Sequence, residues 1–316
     1  MKTIVITGGA GFLGRHICAK MLNENKIVYC VDNLITGKME NIKDFFTYSN
    51  FHFIKLDITS GLINLIDKGV LPNEIYCIYH LACIASPPHY KKYALQTLST
   101  NFDGTRNVLE LAKLTNAKVL FSSTSEVYGD PLVHPQNEEY YGNVNTLGER
   151  SCYDEGKRVA ETLIYEYKRA YKIDVKIARI FNTYGPYMDI NDGRVITNFI
   201  KQINCKEPLE IYGDGNQTRS FCYVDDLING LILLMESNEE GPINIGNPNC
   251  EFTLNNLVAE FQKIVDFQLE IKYTKATQND PQQRKPDITK AKNKLFWEPK
   301  INLEDGIKKT MAYFYS

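Results

Sequence analysis

Six short apolar runs punctuate the first 181 residues: TIVIT (3–7), KIVYCVD (26–32), FHFIKLD (51–57), CIYHLA (77–82), KVLFSST (118–124) and VKIARIF (175–181). They are rich in Val, Ile, Phe and Tyr. They are nearly continuous rather than alternating, the pattern of strands buried on both faces. Between them lie longer stretches with helical spacing, such as GRHICAKMLNE and TNFDGTRNVLELAKLT. This alternation predicts an α/β chain on a doubly wound, parallel, Rossmann-type sheet.

After residue 181 the rhythm breaks. NTYGPYMDINDGR reads as a loop, VITNFIKQI as a helix and LEIYGDG as the place of a short strand pair. VDDLINGLILLME reads as a helix, PINIGN as one more strand, TLNNLVAEFQKIV as an amphipathic helix and DPQQRKPD as a polar loop. The pattern predicts a smaller C-terminal lobe woven into the first. Residues 1–180, with a returning segment at about 222–246, form the nucleotide-binding domain; 181–221 and 247–316 form the second lobe.

Composition narrows the classes. The chain has 316 residues, 43% hydrophobic and 23% charged, enough for a substantial core. A net charge of -2 offers no basic footprint, so no nucleic-acid partner is expected. The eight cysteines (18, 30, 77, 83, 152, 205, 222 and 250) are scattered without zinc spacing and read as reduced thiols, mostly inside apolar runs. The histidines at 16, 52, 80, 89 and 134 do not cluster, so no metal is expected, and His80 reads as packing at a strand end. No apolar run is long enough to span a bilayer, and KTIVITGG opens as a strand rather than a leader. The expectation is a cytoplasmic protein without a membrane partner.

Candidate chemistry sits at two places. In TIVITGGAGFLGRHI, Gly9, Gly11 and Gly14 fit G-x-G-x-x-G, and Gly8, Gly11 and Gly14 fit the wider G-x-x-G-x-x-G. The loop follows the first strand and opens the first helix, the context in which backbone N–H groups hold a pyrophosphate. Asp32 ends the second strand, 18 residues past Gly14 (32 − 14), where an acid binds ribose hydroxyls and repels a 2′-phosphate. NAD is therefore favoured over NADP. Asp57 ends the third strand and suits either the adenine edge or a helix cap, since Thr59 and Ser60 follow.

The fifth strand runs into SSTSEVYG, which puts Ser123, Thr124, Ser125 and Glu126 at the carboxyl edge of the sheet, where ligands bind. SCYDEGKR follows within thirty residues. At i and i+4 on a helix, Tyr153 and Lys157 share one face. A phenol of pKa ~10 is a poor base at neutral pH. A neighbouring ammonium and a nicotinamide cation would favour its phenolate. Tyr153 would then accept a hydroxyl proton while Lys157 holds the nicotinamide ribose. Gly156 between them suggests close approach of a cofactor or substrate.

TGGAGFLG, HLA at 80–82, STSEVYG, the Tyr-x-x-x-Lys helix and IFNTYGP together resemble the extended short-chain dehydrogenase/reductase family. ASPPHY (85–90), RSCYDEGKRVAE (150–161), GDGNQTRSFCYVDDL (213–227) and DPQQRKPDITKAK (280–292) resemble its UDP-glucuronate decarboxylase, or UDP-xylose synthase, branch. The resemblance implies bound NAD, C4 oxidation of UDP-glucuronate, loss of CO₂, C5 protonation and C4 re-reduction, with some release of UDP-4-keto-pentose.

It also implies roles for particular residues. Gly8, Gly11, Phe12, Leu13, Gly14, Asp32, Asn33, Thr36, Gly37, Asp57, Ile58, Leu81, Ala82, Asn101, Tyr153 and Lys157 would hold NAD. Thr124, Ser125, Glu126, Tyr153, Lys157 and Arg284 would be catalytic, with Glu126 near C5 and Arg284 near the substrate carboxylate. A diphosphate-binding or surface ion-pairing Arg284 is the alternative. Pro87, Tyr90, Asn182, Val195, Asn198, Tyr212 and Arg219 would bind the UDP-sugar, although Tyr212 equally suits core packing. Ser125 stands where related 4,6-dehydratases carry an acid to expel a hydroxyl, which a decarboxylase does not need.

Ile84 and Tyr187 depart from the Pro and Arg usual in the branch. A 4-epimerase or 4,6-dehydratase is the runner-up, and a non-catalytic NAD-binding regulator the reading from another class. A homodimer is expected through a four-helix bundle of the helices around 92–113 and 153–171. The plainer alternative is that those helices only cover their own sheet.

Overall fold

In the computed structural model, residues 1–275 and 281–315 are described. The six runs form the strands β1 (Thr3–Thr7), β2 (Ile27–Asp32), β3 (Phe51–Lys55), β4 (Cys77–His80), β5 (Lys118–Thr124) and β6 (Val175–Ile180). With Ile243–Ile245 they make a seven-stranded sheet in which β6, β5, β4, β1, β2 and β3 follow that strand in order. Every neighbouring pair is parallel.

The continuous apolar runs are explained by a core on each face. Ile4, Ile6, Cys77, Tyr79 and Leu120 pack on one side. Val5, Ile78, Val119 and Phe121 pack on the other. Successive side chains point to opposite faces, so a doubly covered strand needs an apolar residue at every position. Strand order reverses between β1 and β4, which opens a crevice at their carboxyl ends.

Phe12–Asn23 is the helix after the glycine loop. Ser151–Tyr171 carries the Tyr-x-x-x-Lys pair; its buried residues Tyr153, Asp154, Gly156, Lys157, Ala160 and Ile164 lie on one stripe. Thr105–Thr115 is preceded by a π-helical turn over Thr100–Gly104, a distortion that recurs at functional sites.

The strand pair at LEIYGDG differs from expectation. Leu209–Tyr212 pairs in parallel with Ile271–Thr274, far along the chain, instead of with a sequence neighbour. Glu251–Thr253 likewise pairs with Thr218–Ser220, which clips the second lobe together. Among the described residues every cysteine is a free thiol. None of their helices is long and apolar enough to cross a membrane.

Candidate active site

The crevice continues into the second lobe as one cavity of about 1320 Å³. Every expected site residue lines it except Asn101 and Arg284.

At the nucleotide end the glycines are required sterically. Gly8 has φ +73°, and a Cβ there would stand 2.8 Å from the Ala82 backbone. A Cβ on Gly14 would stand 2.1 Å from Gly8 O, so the helix start could not close on the strand end. On Gly11 it would meet only Gly8 O, at 3.2 Å, leaving that backbone open to the cavity. No side chain caps the helix at Gly11, so its first N–H groups remain available to an anion. Asp32 accepts from Ala10 N (3.0 Å) and Leu34 N (2.8 Å) while it lines the cavity. Asp57 caps the turn after β3, its Oδ1 accepting from Thr59 N (3.0 Å), while its Oδ2 accepts from Asn33 Nδ2 (2.9 Å) and the residue lines the cavity. These groups fit a dinucleotide.

At the chemistry end, the Tyr153 ring stacks on Tyr90 with centroids 5.3 Å apart. Lys157 is buried and donates to Ser122 O at 2.7 Å. Burial pushes the Tyr153 phenol up, and a contact from Thr124 only partly offsets it. Burial also lowers Lys157. The expectation that the ammonium and a nicotinamide cation favour a phenolate is corrected for the chain without that cation, in which burial raises the phenol and keeps it protonated.

Gly156 is a second correction. A Cβ there would lie 2.8 Å from Asn101 Nδ2, so a protein side chain, not a ligand, occupies the space. Asn101 is 1% exposed, donates to Thr97 O at 2.9 Å, and its Oδ1 is buried without a partner.

Arg284 is the third. It was expected against the substrate carboxylate, but it is 1% exposed and stands behind the wall. There it pairs with Glu126 and donates to Ser125 Oγ (3.2 Å) and Gly129 O (2.7 Å). On the wall itself the guanidinium beside Glu126 is that of Arg150, whose Nη2 lies 2.5 Å from Glu126 Oε2. Burial raises the Glu126 carboxyl, but Arg150, Arg284 and Arg219 outweigh it and hold it at about 2.

Sequence reasoning missed Arg150, although it stands immediately before SCYDEGKR and four residues before Asp154. It also missed Arg194, which ties Ala85 O (3.1 Å) to Asp192 on the cavity wall. Arg219 lines the cavity and donates to Thr218 O and Pro281 O, both at 2.8 Å. Tyr212 is 44% exposed on the wall, which excludes core packing. Asn182, Val195 and Asn198 line the second-lobe side. Of DPQQRKPD, Asp280 lies outside the described residues.

His80 packs as expected between Thr7 Oγ1 (2.8 Å) and Thr105 Oγ1 (3.0 Å), and burial lowers it to about 3. Tyr187, at φ +67°, accepts from Arg15 Nη2 at 3.1 Å and lines the cavity with Tyr313. A cation thus stands behind the tyrosine that replaces the usual arginine.

The profile of the NAD dependent epimerase/dehydratase family matches residues 4–246. UDP-glucuronic acid decarboxylase 3 of Arabidopsis thaliana is 52% identical over 305 residues, covering 96% of this chain and 86% of that one. UDP-glucuronic acid decarboxylase 1 of Xenopus tropicalis is 49% identical over 313 residues, covering 99% and 72%. Among solved structures, UDP-glucose 4-epimerase from Thermotoga maritima superposes with a TM-score of 0.90 at 30% identity, covering 99% of this chain and 98% of that one. UDP-glucuronic acid 4-epimerase from Bacillus cereus, in complex with UDP-glucuronic acid and NAD, gives 0.88 at 29%, covering 99% of each. A glycine cradle, a buried Tyr-x-x-x-Lys face and about half of all residues shared across the decarboxylases lead to one conclusion: the chain belongs to the NAD dependent epimerase/dehydratase family, in its UDP-glucuronic acid decarboxylase branch.

Proposed function

We propose that this chain converts UDP-glucuronate to UDP-xylose and CO₂ with bound NAD. The observation that carries the reading is the end of β5: Ser125 and Glu126 face the same cavity as Tyr153 and Lys157. Identity to the decarboxylases well above that to the epimerases points the same way.

Bound NAD would supply the acceptor for the C4 hydride of the sugar and the donor that restores it. Tyr153 accepts the C4 hydroxyl proton and gives it back, with Thr124 beside the phenol. Lys157, anchored at Ser122 O, orients the nicotinamide ribose. A C4 carbonyl lies β to the carboxylate, so the C5–C6 bond breaks with its electrons passing into an enolate. Ser125 is neutral because no hydroxyl is expelled. Glu126, held as the anion, faces C5, and Arg284 sets its charge from behind.

Gly8, Gly11, Gly14, Asp32 and Asp57 hold the dinucleotide, with Phe12, Leu13, Asn33, Thr36, Gly37, Ile58, Leu81 and Ala82 shaping its walls. Pro87 and Tyr90 bound the sugar; Asn182, Val195, Asn198, Tyr212 and Arg219 hold the UDP moiety. The lobes divide at about residue 180, and the return of Ile243–Ile245 to the sheet supports assigning 222–246 to the first. The working form is a cytoplasmic homodimer. Leu95, Leu98 and Phe102, at 82, 39 and 40% exposure, with Val159 and Tyr165 on the neighbouring helix, supply its apolar face.

The test is incubation with UDP-glucuronate and mass spectrometry of the products. CO₂ and a UDP-pentose are expected. A product that keeps its carboxylate with C4 inverted would mean an epimerase and would sink the reading.

A further inference from the structure

The reaction above consumes a proton at C5. A carboxylate leaves as neutral CO₂, its electron pair remains in the enolate, and C5 must then be protonated. Glu126 cannot be the store: two guanidiniums pair with it and keep it ionised. A second carboxyl lies in the same cluster. Asp154 is 8% exposed, and Arg150 Nε stands 3.9 Å from its Oδ2. Its Oδ1 is buried without a hydrogen-bond partner. Asp154 does not line the cavity, whereas Glu126 and Arg150 do.

We propose that Asp154 and Glu126 form a buried carboxyl pair bridged by Arg150, that the pair holds one proton, resting on Asp154, and that this proton is delivered to C5 through Glu126. The reading rests on Glu126 facing C5. The physical reason is the unpartnered oxygen. An ionised carboxylate with one oxygen buried and unpaired is costly, and an adjacent carboxylate adds repulsion. The neutral acid avoids both.

The groups around Asp154 are Glu126 after β5, Arg284 from the second lobe, Tyr90 from the helix Pro87–Lys92, and Arg150 and Glu155 along its own helix. Asp154 also sits in the first turn of that helix, where the dipole favours an anion. Burial and Glu126 outweigh the dipole and the arginines, and push Asp154 up to about 8. Two such carboxyls titrate as a pair. When the enolate forms, Asp154 passes its proton to Glu126, which hands it on to C5; Asp154 is left as the carboxylate and recovers one proton from solvent. Asp154 touches no substrate; it is a positioning residue that acts through Glu126.

The experiment compares the wild-type chain, Asp154→Asn and Asp154→Glu. Infrared spectroscopy of the protein without substrate reads the carbonyl stretch of a protonated carboxyl. The band is expected in the wild type at pH 7, lost as the pH rises through about 8, absent in Asp154→Asn and present again in Asp154→Glu. With UDP-glucuronate, kcat for CO₂ release in Asp154→Asn should fall by about a hundredfold with little change in KM. The Glu variant should recover part of it. An unchanged band in Asp154→Asn, or an unchanged kcat, overturns the proposal. If Asp154→Asn does not fold, the wild-type and Glu bands decide alone, and their absence at pH 7 overturns it. A wild type that releases no CO₂ would instead refute the decarboxylase reading, which the infrared arm does not depend on.

Discussion

Gly156 and Asn101 fit against each other so closely that a β-carbon on residue 156 would stand 2.8 Å from Asn101 Nδ2. The contact joins the Tyr153 helix to the π-helical turn. Gly156→Ala should therefore act as overpacking and destabilise the chain by about 1–3 kcal/mol, despite the better helix propensity of Ala. Urea unfolding without ligand measures this. A stabilised variant would show that Asn101 moves aside freely.

Tyr153→Phe removes the phenolic oxygen and keeps the ring stacked on Tyr90. CO₂ release from UDP-glucuronate should fall by roughly a hundredfold or more. Bound NAD, read by its content after gel filtration, should fall far less than activity, because the glycine loop and Asp32 still hold the dinucleotide. Equal activity would remove Tyr153 from the chemistry.

Arg284 and Glu126 make stability depend on pH. Glu126 is depressed to about 2 in the fold, against ~4.3 in the unfolded chain. The stabilisation is thus present above that unfolded value and is lost as pH falls toward the folded one. Arg284→Met should cost about 3–5 kcal/mol at pH 7, because Glu126 keeps its charge and loses a buried partner. The cost should shrink as pH falls to about 2, where Glu126 begins to be protonated even in the wild type. Denaturant melts at the two pH values measure the difference; a cost independent of pH would show that the ion pair contributes nothing.

Leu95 is 82% exposed on the helix Ala94–Ser99. In a dimer joined through this face, Leu95→Asp would place a charge in an apolar contact. Sedimentation velocity should show the wild type as a dimer and the variant shifted toward monomer. A monomeric wild type would leave these helices as cover for their own sheet.

Much of the site is legible in the sequence because its signals are local. The glycine loop lies within eight residues, and Tyr153 and Lys157 are one helical turn apart. Strand ends follow from the runs that precede them, so the order of residues suffices to put Asp32, Asp57 and Thr124 at the crevice. The strand partner of Leu209–Tyr212 is not legible, because pairing with Ile271–Thr274 leaves no mark in either segment. Arg150 gives no signal because an arginine at a helix start looks like any solvated charge.

The β-α rhythm, the nucleotide cradle and the face shared by Tyr153 and Lys157 are set by the order of residues, since periodicity and short spacing act within a turn or a strand. Which charges meet is decided in three dimensions. Glu126 finds Arg150 24 positions later and Arg284 158 positions later. Gly156 finds Asn101 on another helix. Burial raises Tyr153 and Asp154 and lowers Lys157, whereas the surrounding arginines keep Glu126 ionised. Desolvation and ion pairing depend on what surrounds a group in space, and a linear spacing carries no record of that.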